Sequence, residues 1–149
     1  MNLKVLINTR GDIIHQFIQI EIAINCIISA HFLGKVSPNF VVDVLNNEMS
    51  SFGFKKTVLK QILDDKKFGK EFQYLEDLNR IRNIFGHASM ELMNDVKVDD
   101  PNADIWLSNP KKIGDKVDPT EKSKTFYKTY LTVYKWLIDI GRERGVPFP

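Results

Sequence analysis

Between Asp12 and Leu33 the chain carries Ile13, Ile14, Phe17, Ile18, Ile20, Ile24, Ile27, Ile28 and Phe32 with no turn signal among them. Wound as a helix, these residues cover more than one stripe, and a helix that is apolar on most sides must lie at the centre of a fold or be shared with a second subunit. Every other element has to be arranged around it. Its polar exceptions, Glu21, Asn25 and Ser29, recur every four residues and so lie along one line of the surface. That line must meet water or polar partners.

Gly34 is expected to end this helix, and Ser37 followed by Pro38 opens another, carrying Phe40, Val41, Val44 and Leu45. Met49 to Phe54 reads as a turn, after which Thr57 to Leu63 returns to helical spacing. From Lys70 to His87, Phe72, Leu75, Leu78, Ile81 and Phe85 form the stripe of a long amphipathic helix. Asn94 to Ser123 is polar, with Pro101, Pro110, Gly114 and an acidic patch of Asp95, Asp99, Asp100 and Asp104; Ile105, Trp106 and Leu107 are expected to pin it down as short irregular pieces or a small hairpin. Asp118 as cap, Pro119 at the first helical position and Glu121 three after the cap open a last helix, running to about Arg144 with Phe126, Tyr127, Tyr130, Val133, Tyr134, Leu137 and Ile140 inward. Nowhere does a period of two persist. The expected fold is all-α: a single domain over residues 1–149, core roughly 12–145, of four to five helices with an irregular excursion before the last.

With 43% hydrophobic residues the chain can fill such a core. A formal charge of +2 does not announce a nucleic-acid partner, so any electrostatic footprint must be local. Lone Cys26 can make no internal disulfide and no multi-cysteine zinc site, and its apolar setting marks it as a core residue. The Val5 to Ile7 run is closed at once by Asn8, Arg10 and Asp12, unlike a secretory leader. The longest apolar stretch, Ile22 to Phe32, is too short to span a bilayer. These features predict a soluble, cytoplasmic protein with no membrane contact.

The chain has no glycine-rich phosphate loop, no His-Glu-x-x-His helix and no G-x-S-x-G elbow, and His15, His31 and His87 lack metal-ligand spacing, so no metal and no cofactor is expected. What remains is Arg80-Ile81-Arg82-Asn83-Ile84-Phe85-Gly86-His87, where cationic and titratable groups crowd the end of an otherwise regular helix. Arg80, Asn83 and His87 share a face, whereas Arg82 stands roughly 140° around the helix from His87. Arg82 and His87 converge only if the helix loosens at Gly86, or if a second copy supplies one of them. The latter, with the all-round apolar first helix, predicts a homodimer with a composite site.

The stretch Leu78 to Ala88, with Arg82, Asn83 and His87 spaced as Arg-Asn-x-x-x-His, resembles the signature of the HEPN superfamily (higher eukaryotes and prokaryotes nucleotide-binding), an arginine often followed by a polar residue and then a histidine. The order of helices is similar too, and within the superfamily the chain looks most like the small bacterial proteins grouped with the mannitol-operon repressor. The resemblance implies an up-and-down helical bundle and a dimer whose two motifs face each other. In active members it implies metal-independent cleavage of RNA, and a toxin or phage-defence role under an antitoxin or other regulatory protein.

In such a reaction the ribose 2′-OH attacks phosphorus, leaving a cyclic 2′,3′-phosphate and a free 5′-OH. His87 can act as general acid or base, Arg82 can fork onto two phosphate oxygens, and Asn83 can orient the imidazole or the substrate. Gly86 would permit close approach and a bend, Arg80 would support from the same face, and Glu21 is the expected carboxylate partner of Arg82. Lys55, Lys56 and Lys60, with Lys66, Lys67 and Lys70, face only Asp64 and Asp65; they are either a solvated face or a rim for the polyanion. Two other readings use the same motif: a non-catalytic regulator that binds another protein, and RNA or nucleotide binding without turnover. A purely structural one has the arginine bonded to a carboxylate, the asparagine capping, and the histidine bonded to the last helix carbonyls.

Overall fold

The computed structural model describes residues 1–47, 49–64, 66–88, 90–92, 105–109 and 114–148. The fold is all-α. Among the described residues five helices run α1 (Leu3–Leu33), α2 (Pro38–Phe40), α3 (Phe52–Ile62), α4 (Gly69–His87) and α5 (Pro119–Glu143), with a π-helical turn over Val41–Leu45 and a three-stranded antiparallel sheet, β1 (Met90–Leu92), β2 (Ile105–Ser108) and β3 (Lys116–Val117), before α5. The chain divides into two compact units: Met1–Phe17 with Glu76–Tyr130, and Ile18–Leu75 with Leu131–Pro149.

In the first unit the core is made by Leu6, Ile13 and Phe17 of α1, Leu78, Ile81 and Phe85 of α4, and Phe126 of α5. The sheet closes it through alternation: Ile105 and Leu107 are buried while Trp106 is half exposed, and Leu107 pairs with Met90 on one side and Val117 on the other. The expected hairpin is thus a small three-stranded sheet, pinned by the residues expected to pin it. The acidic patch and Pro101 and Pro110 lie outside the described residues. Asp118 Oδ1 accepts from the Thr120 backbone N–H at 2.7 Å, capping α5 as expected.

Helix α1 begins at Leu3, nine residues before the expected start. Asn2 caps it, its side chain accepting from Val5 N at 3.0 Å, and Leu6 lies two turns before Ile13 on the same buried face. Over its full length α1 is long and apolar enough to cross a membrane, which the broken run Ile22 to Phe32 alone is not; 56% of its most apolar window is buried inside the protein, as in a core helix.

The second unit packs Ile20, Ile24, Ile27 and Ile28 of α1 with Leu59, Phe72, Leu75, Val133 and Leu137, and rests Trp136 of α5 against Phe68 and Phe72. Here the polar line of α1 finds its partners. Asn25 Nδ2 donates to Asn46 Oδ1 at 2.9 Å, and the Ser29 hydroxyl donates to Lys35 O at 3.1 Å while accepting from Ser37 N at 2.9 Å. Gly34, at φ +69°, lets the chain reverse after α1, and Ser37 caps α2 by accepting from Phe40 N. The Met49 to Phe54 turn is shorter than expected because Ser51 accepts from Phe54 N and starts α3 at Phe52.

Candidate functional site

The stripe Leu78, Ile81 and Phe85 fixes how α4 is rotated, and with it the motif. Arg82 follows Ile81 on the flank of the buried face and is half-buried; its guanidinium lies over the Phe17 ring, 4.7 Å from the centroid, and its Nη1 donates to Asn83 Oδ1 at 2.9 Å. A cation over an aromatic face is worth about 0.5–2 kcal/mol, and together with the amide it holds the arginine in one place. His87, the last residue of α4, is exposed. Among the described residues no hydrogen bond or ion pair engages its imidazole.

The end of α4 is instead held from α1. Arg10 Nε donates to Phe85 O, and Arg10 Nη2 donates to Ala88 O at 2.9 Å. The last carbonyls of a helix have no partner within it, and a cation there also meets the negative end of the helix dipole. Arg10 does both, leaving the His87 ring in solvent. Among the described residues the structural assignment is not met: Arg82 bonds the Asn83 amide oxygen and no carboxylate, Asn83 accepts from Arg82, and Arg10 serves the carbonyls.

Gly86 does not loosen the helix. Residues up to His87 stay helical and Ala88 N still donates to Ile84 O at 2.9 Å. An α4 that stays helical through Gly86 keeps Arg82 and His87 roughly 140° apart around its axis; of the two routes to convergence, loosening at Gly86 is not seen.

Comparison with known proteins finds no matching family model, no similar curated protein and no similar solved structure. The site rests on its own geometry.

The remaining expected residues are placed differently. Arg80 is exposed, pairs with Asp77 at 2.9 Å, and lines an open cleft of about 590 Å³ with Ile81, Ile84, Trp106, Asp118 and Glu121; neither Arg82 nor His87 lines that cleft. Glu21 is half-buried in the second unit, and Phe17 and Asn83 take the place of the carboxylate expected beside Arg82. Lys55 is only 5% exposed, which removes it from any substrate rim. Lys56 and Lys60 are half-buried, and Lys60 Nζ stands 5.4 Å from the Phe72 ring centroid. Lys60 thus lays its stem on the unit's own surface. His15 and His31 are exposed, with His31 Nδ1 3.2 Å from an Arg144 nitrogen. Burial pushes the half-buried Cys26 thiol up, and burial followed by the Asp12 carboxylate does the same to the Tyr127 phenol. Among the described residues no three His, Cys, Asp or Glu side chains gather as a metal site would need.

Sequence reasoning passed over Arg10 and the second role of Phe17. Arg10 and Phe17 are seven apart, one face of α1; no local pattern reports a partner 75 positions away.

Proposed function

We propose that the chain is a HEPN-type, metal-independent endoribonuclease of the bacterial cytoplasm, working as a homodimer. Each RNA phosphodiester is gripped between Arg82 of one protomer and His87 of the other. His87 moves the proton of the attacking 2′-OH or of the leaving 5′-oxygen, Arg82 stabilises the doubly charged phosphorane, and Asn83 holds Arg82 through its amide oxygen. The observation that carries this reading is the division of labour at the end of α4. Arg10 serves the carbonyls, so His87 is exposed and engaged by no bond among the described residues, while Arg82 is fixed by Phe17 and Asn83. Support for a second copy comes from the first unit's part of α1, where Ile7, about half exposed, stands one turn before Gly11 on the same side. No atom stands within 4 Å of where a Gly11 Cβ would be, so a neighbouring helix could approach closely there. A toxin or defence role under an antitoxin fits such an activity.

The test is to incubate labelled RNA with wild type and with His87→Ala, both in EDTA. The expected result is cleavage by wild type alone, leaving 2′,3′-cyclic phosphate and 5′-OH ends. Inert wild type would overturn the enzyme. That outcome would favour a non-catalytic regulator of the mannitol-operon repressor type, for which a different observation speaks: the second unit exposes Phe32, Leu33, Val42, Val44, Met49 and Phe54, apolar surface suited to a protein partner. Retention of RNA without cutting would indicate binding alone.

A further inference from the structure

We propose that Arg10 is a positioning residue for His87, a role that rests on the ribonuclease reading above. Three residues of α1 at intervals of four and three meet the whole motif in order: Arg10 at its end, Ile14 at Gly86, with Cδ1 3.7 Å from where a Cβ would stand, and Phe17 under Arg82. Ile14 and Phe17 pack; Arg10 ties. A helix end commonly stops on a glycine in the left-handed conformation or frays over its last turn. Helix α4 is followed by Ala88, with no such glycine, and its closing turn is fastened by a guanidinium whose fork spans the carbonyls of Phe85 and Ala88.

His87 lies between those two carbonyls in the chain. Its backbone is held from both sides while its ring faces solvent. A group that moves a proton must come within about 2.6–3.2 Å of the atom it serves, and a fraying last turn would spread the imidazole over several ångströms. The clamp gives His87 a fixed origin without occupying either ring nitrogen. Arg10 touches no substrate in this scheme and acts only through the histidine.

The experiment compares wild type, Arg10→Gln and Arg10→Lys in two assays: steady-state RNA cleavage in EDTA, and backbone amide exchange over Phe85–Ala88. Arg10→Gln is expected to stay folded by circular dichroism and to exchange at least about tenfold faster over that turn. Its kcat is expected to fall by on the order of a hundredfold, the scale of an ångström of misplacement, with KM within about twofold. Arg10→Lys, whose ammonium cannot fork across both carbonyls, should fall between the two. Should Arg10→Gln unfold, the lysine variant carries the same comparison. Unchanged exchange would overturn the clamp; faster exchange with kcat intact would overturn the positioning role while leaving the enzyme standing. Wild type without cleavage would overturn the ribonuclease reading and this role with it, and amide exchange would still report whether the helix end is tied.

Discussion

Gly86→Ala distinguishes a straight motif helix from one that bends to bring Arg82 toward His87. In a bent helix the glycine would be required, and a side chain would stiffen or clash at the hinge. In the structure position 86 is helical and exposed, and an added Cβ meets only Ile14 Cδ1 at 3.7 Å, an ordinary van der Waals distance. The substitution therefore costs no contact and removes the entropy penalty of glycine, roughly 0.5–1 kcal/mol in a helix interior. Because residue 86 sits in the last turn, the lower figure applies. For a chain of this size 1 kcal/mol shifts Tm by roughly 2–4 °C, so thermal unfolding followed at 222 nm should show a rise of about 1–2 °C. RNA cleavage should continue within a factor of about two, since α4 need not bend. A fall in Tm of more than about 2 °C would mean that the site does not admit a methyl group. A collapse in cleavage at unchanged stability would mean that the glycine hinge is used, and would refute a helix that stays straight at work.

Ser29 is fully buried and bridges Lys35 O and Ser37 N. Ser29→Ala leaves both backbone groups without that partner and should lower the unfolding free energy by about 2–3 kcal/mol in urea titration; a loss below about 0.5 kcal/mol would show that water replaces the hydroxyl. Because burial raises the Cys26 thiol above its ordinary 9.0, the folded chain favours the protonated form. The stability this gives is complete at neutral pH and is lost as pH rises from 9 through the raised value. Iodoacetamide at pH 8 should accordingly modify the native thiol several-fold more slowly than the urea-unfolded one, and equal rates would contradict the burial of this thiol.

Much of the fold is legible in the chain because the signals are local. The stripe from Phe72 to Phe85, the cap at Asp118, the stop at Gly34 and the polar line of Asn25 and Ser29 each depend on neighbours within a turn or two. What escapes reading is set by distant partners or by competition between weak signals. Asn8, Arg10, Gly11 and Asp12 look like an interruption before α1, yet burial of Leu6 beneath the same face as Ile13 carries the helix across them. The alternation of Ile105 and Leu107 is too brief to register as a strand until β1 and β3 pair with it. Lysines read as a charged face because their heads are charged, whereas Lys55 buries and Lys60 lies on Phe72. At the candidate site, spacing exposes Arg82, Asn83 and His87 as a group but not what holds them. Phe17 reads as core alone, and the two bonds of Arg10 join residues 75 and 78 positions apart.

The proposed composite site has Arg82 and His87 serve the same phosphate from two subunits, and mixing of variants tests this directly. Arg82→Ala and His87→Ala are each expected to be inactive as homodimers. Unfolded together and refolded, half of the dimers should be mixed, each with one complete pair, restoring about a quarter of wild-type cleavage. If the mixture stays as inert as its components while size-exclusion chromatography shows that mixed dimers have formed, the two residues do not act across the subunit boundary, and the composite site is wrong.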